Sequence, residues 1–372
     1  MLKLRVVQAE EGDCLIVAHG DPASPRHMLV DGGPSGIYGG HLRGELERIA
    51  ARGGRIDIAV LSHVDTDHAN GLLDLLAELR AQRDAGQAPV VAVDALWHNE
   101  FNRTEGEGEG GAIESRVSGI VQALGASGAS MSTAAATVLG IAHGSRLALE
   151  ARLLDLPLNG HFGGEPLVFA PGRAPLALDG IEVQVVGPTP QNLAELRREW
   201  LEWLDRQERL IEDGRVEVAA MADKSIPNLS SIQLLVRAGA RSLLLTGDAR
   251  GDHLLQALEA GGHLDADGRL HVDVFKVPHH GSDRNATRRF FERVTADTYV
   301  ISANGKHGNP DRATLEWIIE AAADAGRKVE LVLTNSTPDV AGIKKSHPPA
   351  TWGYKTRILS KTKHALDVRI AG

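Results

Sequence analysis

Four apolar runs in this chain each stop abruptly at a polar cluster, and that repeated design limits the fold more than any other feature of the sequence. Ile58–Ser62 runs into His63-Val-Asp65-Thr-Asp67-His68. Leu243–Thr246 delivers Gly247-Asp248, and Val274–Val277 delivers Pro278-His279-His280-Gly281-Ser282. Tyr299–Ser302 delivers Ala303-Asn-Gly-Lys306-His307-Gly308. The strands of an α/β sheet bring their ends to one edge, so four such strand ends can converge there.

The first cluster is the densest. His63, Asp65 and Asp67 alternate in an extended turn, which points their side chains to one side, and His68 follows as the next helix begins. So much charge beside a helix start is tolerable only where cations balance it. A dinuclear metal site needs six or more ligands of this kind, a bridging carboxylate and a bridging water whose pKa the metals lower toward neutrality.

The remaining composition narrows the class. A formal net charge of −9 over 372 residues argues against a chain coated in basic charge for nucleic acid, although a local basic groove stays open. Cys14 is the one cysteine, so neither an intrachain disulfide nor a cysteine-based zinc site can form. Aromatic residues make up only 4% of the chain, so the core is expected to be aliphatic. The N-terminus reads as lacking a signal peptide, and no apolar stretch is long enough for a spanning helix. The expectation is a cytoplasmic protein without membrane contact.

Along the chain, Leu4–Gln8, Leu15–Ala18 and Met28–Asp31 read as strands, and His41 to Ala51 as a helix. Leu72, Leu73, Leu76 and Leu79 recur at helical spacing, and Val90–Trp97 reads as another strand. Gly106, Gly108 and Gly111 match G-x-G-x-x-G, but acidic residues fill the gaps and no βαβ unit surrounds them, so the match is false. Residues 100–175 read as an insertion, helical and rich in small residues from Ile113 to Leu156. Leu176–Val186 gives strands around Asp179-Gly180, and Asn192–Asp213 a polar helix on which Trp200 and Trp203 read as packing. Ser231–Val236 and Ser242–Thr246 form a hairpin. Residues 336–372 read as a basic C-terminal extension, and 1–372 as one domain.

Ser62-His-Val-Asp-Thr-Asp-His68 followed by Asn70-Gly71 resembles the H-x-H-x-D-H signature of the metallo-β-lactamase superfamily. The chain looks closest to the branch containing the hydrolase domain of the competence (DNA-uptake) protein ComEC. Val30-Asp-Gly-Gly33, Asn228-Leu-Ser-Ser-Ile232, Leu245-Thr-Gly-Asp248 and Lys276-Val-Pro-His-His-Gly-Ser282 are similar in order, and Ile301-Ser…Gly308-Asn-Pro310 matches more loosely. The resemblance covers about residues 1–335. It implies a four-layer αββα sandwich of the α/β (α+β) class with two divalent metal ions, Zn2+ or Mn2+, at one edge. His63 and Asp65 would hold the first metal, Asp67, His68 and His280 the second, and Asp248 would bridge them. His280 fits the family's Pro-x-His-Gly, with His279 as runner-up. Three positions depart from the pattern. Asp65 stands where histidine is usual. Asn228 or Ser230 stands where a third histidine normally opens the strand before the bridging aspartate. Asn309 stands where the competence branch commonly has histidine. The first site is therefore poorer in nitrogen, which makes Mn2+ plausible beside Zn2+.

Asp67 and Asp248 carry the catalytic expectation. His279, His307, Asn228 and Lys224 are candidate substrate contacts, although Lys224 fits a solvated loop better. Asp31 reads as a turn former before Gly32-Gly33, and Ser282 as a helix cap. The leading function is a metal-dependent phosphodiesterase acting on nucleic acid or a nucleotide-like ester. Arg284, Arg288, Arg289 and Arg293 after His280, with the lysines and arginines of the tail, offer phosphate contacts. Alternatives on the same fold are an ester, thioester or lactam hydrolase, a redox di-iron protein, or a non-catalytic metal-bound sensor module.

Overall fold

A computed structural model describes residues 1–99, 115–116, 119–120, 122, 133–213 and 227–370. The false glycine motif and Lys224 lie outside these residues, as does much of 100–132.

The alternating apolar residues of the first 30 positions pair as a meander. β1 (Leu2–Val7), β2 (Leu15–Asp21) and β3 (Ser24–Val30) are antiparallel, with Leu15 opposite Val30 and Val17 opposite Met28. β4 (Ile58–Val60) and β5 (Leu96–Trp97) then add in parallel. The strand expected over Val90–Trp97 shrinks to its last two residues; before them only Val93 forms an isolated bridge, to Ile56.

The second sheet opens with an antiparallel run of β6 (Leu176–Leu178), β7 (Ile181–Gly187), β8 (Gln233–Ala238) and β9 (Arg241–Leu245). β10 (Leu270–Lys276), β11 (Val294–Ile301), β12 (Val329–Leu333) and β13 (Tyr354–Ile358) continue it in parallel. β14 (Ala365–Arg369) crosses back to pair with β1. The segment read as a C-terminal extension therefore supplies an edge strand to each sheet, and the orders are β14-β1-β2-β3-β4-β5 and β13-β12-β11-β10-β9-β8-β7-β6.

Three apolar clusters define four layers. Between the sheets, Leu4, Val17 and Val60 of the first meet Leu234, Val274 and Val300 of the second. The outer face of the first sheet packs under α1 (Arg43–Ala50), α2 (Thr66–Asp84) and α3 (Thr133–Leu153) through Leu46, Leu76 and Leu147. Thus α3, part of the segment read as an insertion, belongs to this outer layer. α4 (Pro190–Glu212) starts at a Thr189–Asn192 capping box and buries Leu196, Trp200, Trp203 and Leu204 along one face, as expected of packing residues. On the far side, α5 (Gly251–Ala260), α6 (Arg288–Arg293), α7 (Arg312–Asp324) and α8 (Pro338–Ser346) cover the second sheet through Leu254, Phe291, Ile318 and Ile343. This is the αββα sandwich that the resemblance implies. Among the described residues, no helix is long and apolar enough to cross a membrane.

The ends of β3, β4, β9, β10 and β11 share one edge of the sandwich. Closeness there depends on Gly32 and Gly71. A Cβ on Gly32 would lie 2.2 Å from the Leu72 amide nitrogen, and one on Gly71 would lie 2.0 Å from the Gly32 carbonyl oxygen. With hydrogen at both places, the end of β3 touches the first turns of α2 and brings Asp31 beside His68.

Candidate metal centre

Half of the centre comes from each sheet. The first sheet supplies His63 in the loop after β4, Asp65 at the N-cap of α2, and Asp67 and His68 in its first turn. The second supplies Asp248 after β9, and His279 and His280 in the turn after β10. That turn is unusual: His279 has φ 47° and His280 has φ 55°, both left-handed, followed by Gly281 at 86°. Each left-handed histidine costs about 1 kcal/mol, a strain found where surrounding structure imposes it for function.

The four imidazoles obey one rule. Each turns Nδ1 to an acceptor and leaves Nε2 free to face carboxylates. His68 Nδ1 donates to Asp31 Oδ2 at 2.8 Å, and His280 Nδ1 to the Ser302 carbonyl at 2.9 Å. His279 Nδ1 lies 2.6 Å from Asn285 Oδ1. His63 Nδ1 lies 3.1 Å from Ser62 Oγ, whose own proton goes to Asp31 Oδ2 at 2.8 Å. Partners of this kind fix the tautomer and orient an imidazole for a metal.

On the Nε2 side, His68 lies 3.3 Å from Asp248 Oδ1, 3.3 Å from His280 Nε2 and 4.0 Å from Asp67 Oδ2. His280 Nε2 lies 3.4 Å from Asp67 and 3.5 Å from Asp248 Oδ2. His63 Nε2 lies 3.5 Å from Asp65 and 3.8 Å from Asp248 Oδ2, and His279 Nε2 approaches that same oxygen at 3.6 Å. Bonds of 2.0–2.1 Å to a tetrahedral ion would set neighbouring donors about 3.3 Å apart. The spacing therefore fits divalent ions. Among the described residues, His63 Nε2 is buried without a hydrogen-bond partner, as a nitrogen that holds a cation would be.

Electrostatics point the same way. Burial opposes charge on His68, but Asp248, Asp31 and Asp67 outweigh it and raise its pKa well above the ordinary histidine value. Burial likewise opposes charge on His280, and Asp248 with Asp13 reverses it. Burial works against ionisation of Asp248 and Asp67, yet the neighbouring imidazoles hold both below the usual carboxylate range. Such a nest of carboxylates attracts positive charge, as protons or as metal.

Two buried carboxylates escaped the sequence reading. Asp31 accepts from the Ser62 amide at 2.7 Å as well as from Ser62 Oγ and His68. The turn reading of Asp31 was right about its backbone, at φ 60°, and missed its side chain. Asp13 joins His68, Asp248 and His280 in a buried group whose ligand atoms lie within 4.8 Å of one another. Its oxygen meets His280 on the Nδ1 side, at 3.5 Å, and its partner is Lys276 at 2.7 Å, so it stands behind the imidazole. Burial opposes its ionisation, but Lys276 and His280 lower its pKa to about 2.

The remaining candidates separate. Asn228 is buried, with Nδ2 3.2 Å from His279 Nδ1 and Oδ1 without a partner among the described residues. His307 is exposed in the loop after β11. Ser282 ends its turn with no helix directly behind it, and Thr287 caps α6 instead. Of the arginines after His280, Arg288 is engaged with Glu292 at 3.1 Å, with Glu320 at 2.9 Å and with Asp324. Arg293 bonds the Gly268 carbonyl, and in the tail Lys355 and Arg357 pair with Glu330. Arg284 and Arg289 stay exposed.

Comparison with known proteins bears on half of this centre. Over 65 residues, 17% of the chain, the sequence is 37% identical to microtubule-associated protein 1A of Rattus norvegicus and of Mus musculus, a stretch that spans 2% of those proteins' length. The metallo-beta-lactamase fold protein YhfI from Bacillus subtilis superimposes on 98% of the chain, over its own full length, with a TM-score of 0.38 and 10% identity. Residues 12–141, fewer than half of the chain, match the model of the metallo-beta-lactamase superfamily, and that span holds Asp13, Asp31, His63, Asp65, Asp67 and His68.

Proposed function

We propose that the protein is a metal-dependent hydrolase whose substrate is a phosphodiester, in nucleic acid or a nucleotide-like ester. The observation that carries this reading is the shared orientation of His63, His68, His279 and His280, each with Nδ1 on an acceptor and Nε2 toward Asp65, Asp67 or Asp248. His68, His280, Asp67 and Asp248 would hold one ion. His63, Asp65, His279 and Asp248 would hold the other. His279 thereby takes the part of the histidine that the sequence pattern lacks near Asn228, and moves from substrate contact to ligand. Asn285, which accepts from His279 Nδ1 and donates to the Asp248 carbonyl, then positions that ligand.

Bound divalent ions supply a water of lowered pKa and take up charge on phosphate oxygens. The chain's own residues do the rest. Asp248 shares its two oxygens between the ligand groups. Asp31 and the Ser302 carbonyl keep His68 and His280 in the tautomer that leaves Nε2 unprotonated. Asp65 and Asp67, with side chains 32% and 24% exposed, form the open side through which substrate arrives. Four imidazoles rather than three favour Zn2+ more than the sequence alone did, while the carboxylates keep Mn2+ suitable. The choice of phosphorus over a carbonyl rests on the resemblance to the competence branch and on Arg284, exposed four residues after His280 and without an ion pair among the described residues.

The test is reconstitution of metal-free protein with Zn2+ or Mn2+, assayed on a bis-aryl phosphodiester, single-stranded DNA, a thioester and a lactam. Phosphodiester turnover that needs the metal, and that falls in Arg284→Ala as KM rises, is expected. Thioester or lactam cleavage without phosphodiester turnover would overturn the substrate class. Tight metal binding without any turnover would point to a sensor.

A further inference from the structure

The two halves of the metal centre belong to different sheets, so something must set their relative position. Apolar packing between sheets fixes spacing well and sliding poorly, because dispersion contacts have little directionality. Polar links across the gap do better. At the metal edge the Ile232 amide of the second sheet donates to the Ser62 carbonyl of the first at 2.9 Å. Ser302 Oγ donates to the Gly12 carbonyl at 2.6 Å. Beside these links sits an ion pair with no exposure to solvent to speak of: Asp13 and Lys276, 2.7 Å apart, with side chains 1% exposed each.

Asp13 lies in the loop between β1 and β2, and Lys276 is the last residue of β10. Val274 of β10 faces the inter-sheet core, so Lys276, two residues on, points the same way. Its ammonium also donates to the Val277 carbonyl at 2.9 Å, at the root of the histidine turn. On the other side, the Asp13 amide donates to the Asp67 carbonyl at 3.3 Å, and Asp13 Oδ1 stands 3.5 Å from His280 Nδ1. The loop reaches this depth only because residue 12 is glycine: a Cβ there would lie 1.9 Å from the Asp67 carbonyl oxygen. Asp13 thus touches a ligand residue from each sheet.

We propose that Asp13 and Lys276 are a positioning pair that registers the Asp67–His68 half of the centre against the His280 half. The role rests on the metal-centre reading above. As a source of stability such a pair is a poor device, since a neutral replacement of a buried ion pair is often harmless or stabilising. Its effect is therefore expected in metal binding rather than in folding.

The experiment compares the full chain with the double variant Asp13→Asn/Lys276→Met, in which neither partner is left as a buried uncompensated charge. Thermal unfolding of the metal-free proteins and calorimetric titration with Zn2+ and with Mn2+ are measured. Absorption spectra of the Co2+ forms report ligand geometry. The double variant is expected to unfold within a few degrees of the parent. It should bind the ion of His68, Asp67 and His280 about 10–100-fold more weakly, the usual effect of losing a partner behind a ligand, with an altered Co2+ spectrum. The ion at His63 and Asp65 should be unaffected. Unchanged affinity and spectrum in a folded double variant would overturn the proposal. Should the double variant fail to fold, Asp13→Asn alone, which still offers Lys276 an acceptor, must show the same selective loss; parent-like affinity there would also overturn it. A parent protein that binds no divalent ion would instead sink the metal-centre reading itself.

Discussion

Asp248 meets more of the candidate centre than any other side chain, with His68, His63, His279 and His280 all within 3.8 Å of its oxygens. Its backbone is held separately, by Ser231 Oγ on the amide and Asn285 Nδ2 on the carbonyl. Asp248→Asn should therefore keep the fold, lose at least one of two bound ions and lower turnover by about a hundredfold or more. Metal analysis beside circular dichroism checks this, and full metal content in a folded variant would remove Asp248 from the bridging place. Asp31→Asn is expected to weaken metal binding by about tenfold to a hundredfold, because an amide nitrogen would meet the donors of Ser62 or His68. Calorimetric titration reads that loss; parent affinity would make Asp31 a turn residue only. At this scale the candidate centre was legible where histidine and aspartate crowd together, as in His63 to His68. Asp13 and Asp31 were not, because a single aspartate before a glycine or in a turn looks the same whether its side chain faces water or a buried imidazole. The approach of His279 to Asp248 was hidden for a related reason: two adjacent residues ordinarily point apart, and here consecutive left-handed conformations let both imidazoles face the centre.

Elements were easiest to read where period and length agree. The β1–β2–β3 meander, the β8–β9 hairpin and the helix after His63 follow from alternating or helical apolar spacing. β5 was overextended because Val90, Val91 and Val93 have the residue types of a strand while the sheet accepts only Leu96–Trp97. The arginine-rich α6 shows what charge counted along a sequence leaves out. It left a phosphate-binding surface and a solvated basic face equally open, whereas Glu320 and Asp324 of α7 lie across from Arg288 and pair with it. Arg288→Ala is accordingly expected to leave the salt dependence of turnover unchanged and to lower stability by no more than about 1 kcal/mol, as exposed ion pairs do. A flattened salt profile in that variant would restore the basic-face reading. Crossing points are more demanding. In Gly32→Ala the new methyl would meet the Leu72 amide nitrogen at 2.2 Å, so β3 and α2 must separate. A loss of about 2–3 kcal/mol in denaturant unfolding is expected, with weakened metal binding because Asp31 and His68 move apart together. A variant as stable as the parent would show that the crossing has slack.

For the molecule as a whole, a shared sheet edge could be inferred because strand ends and polar clusters coincide, whereas the four layers came only with the family resemblance. The return of β14 to β1 could not, since Arg5 and Asp367 meet across 362 residues of sequence and no local signal announces it. Whole-molecule stability also depends on buried groups that take no part in the centre. His98, just after β5, is 1% exposed, and a contact to the Leu61 backbone offsets only part of the burial of its ring. Its backbone is fixed on both sides by the Asn159 amide, which accepts from the His98 N–H at 2.9 Å and donates to its carbonyl at 2.9 Å. Burial pushes the pKa of the ring down to about 4. The unfolded chain binds a proton at His98 below about pH 6.5, whereas the native protein refuses it until about pH 4. Between those values the unfolded state carries more protons, so stability falls as pH falls and levels off below pH 4. The contribution lost across that window is about 3 kcal/mol. His68 and His280 titrate in the opposite sense in metal-free protein, so the informative quantity is the difference between parent and His98→Leu, in which their effects cancel. Urea unfolding of both proteins from pH 7.5 to pH 4 should show the variant gaining on the parent by about that amount as the solution is acidified. Parallel curves would mean that His98 takes up its proton without leaving the fold.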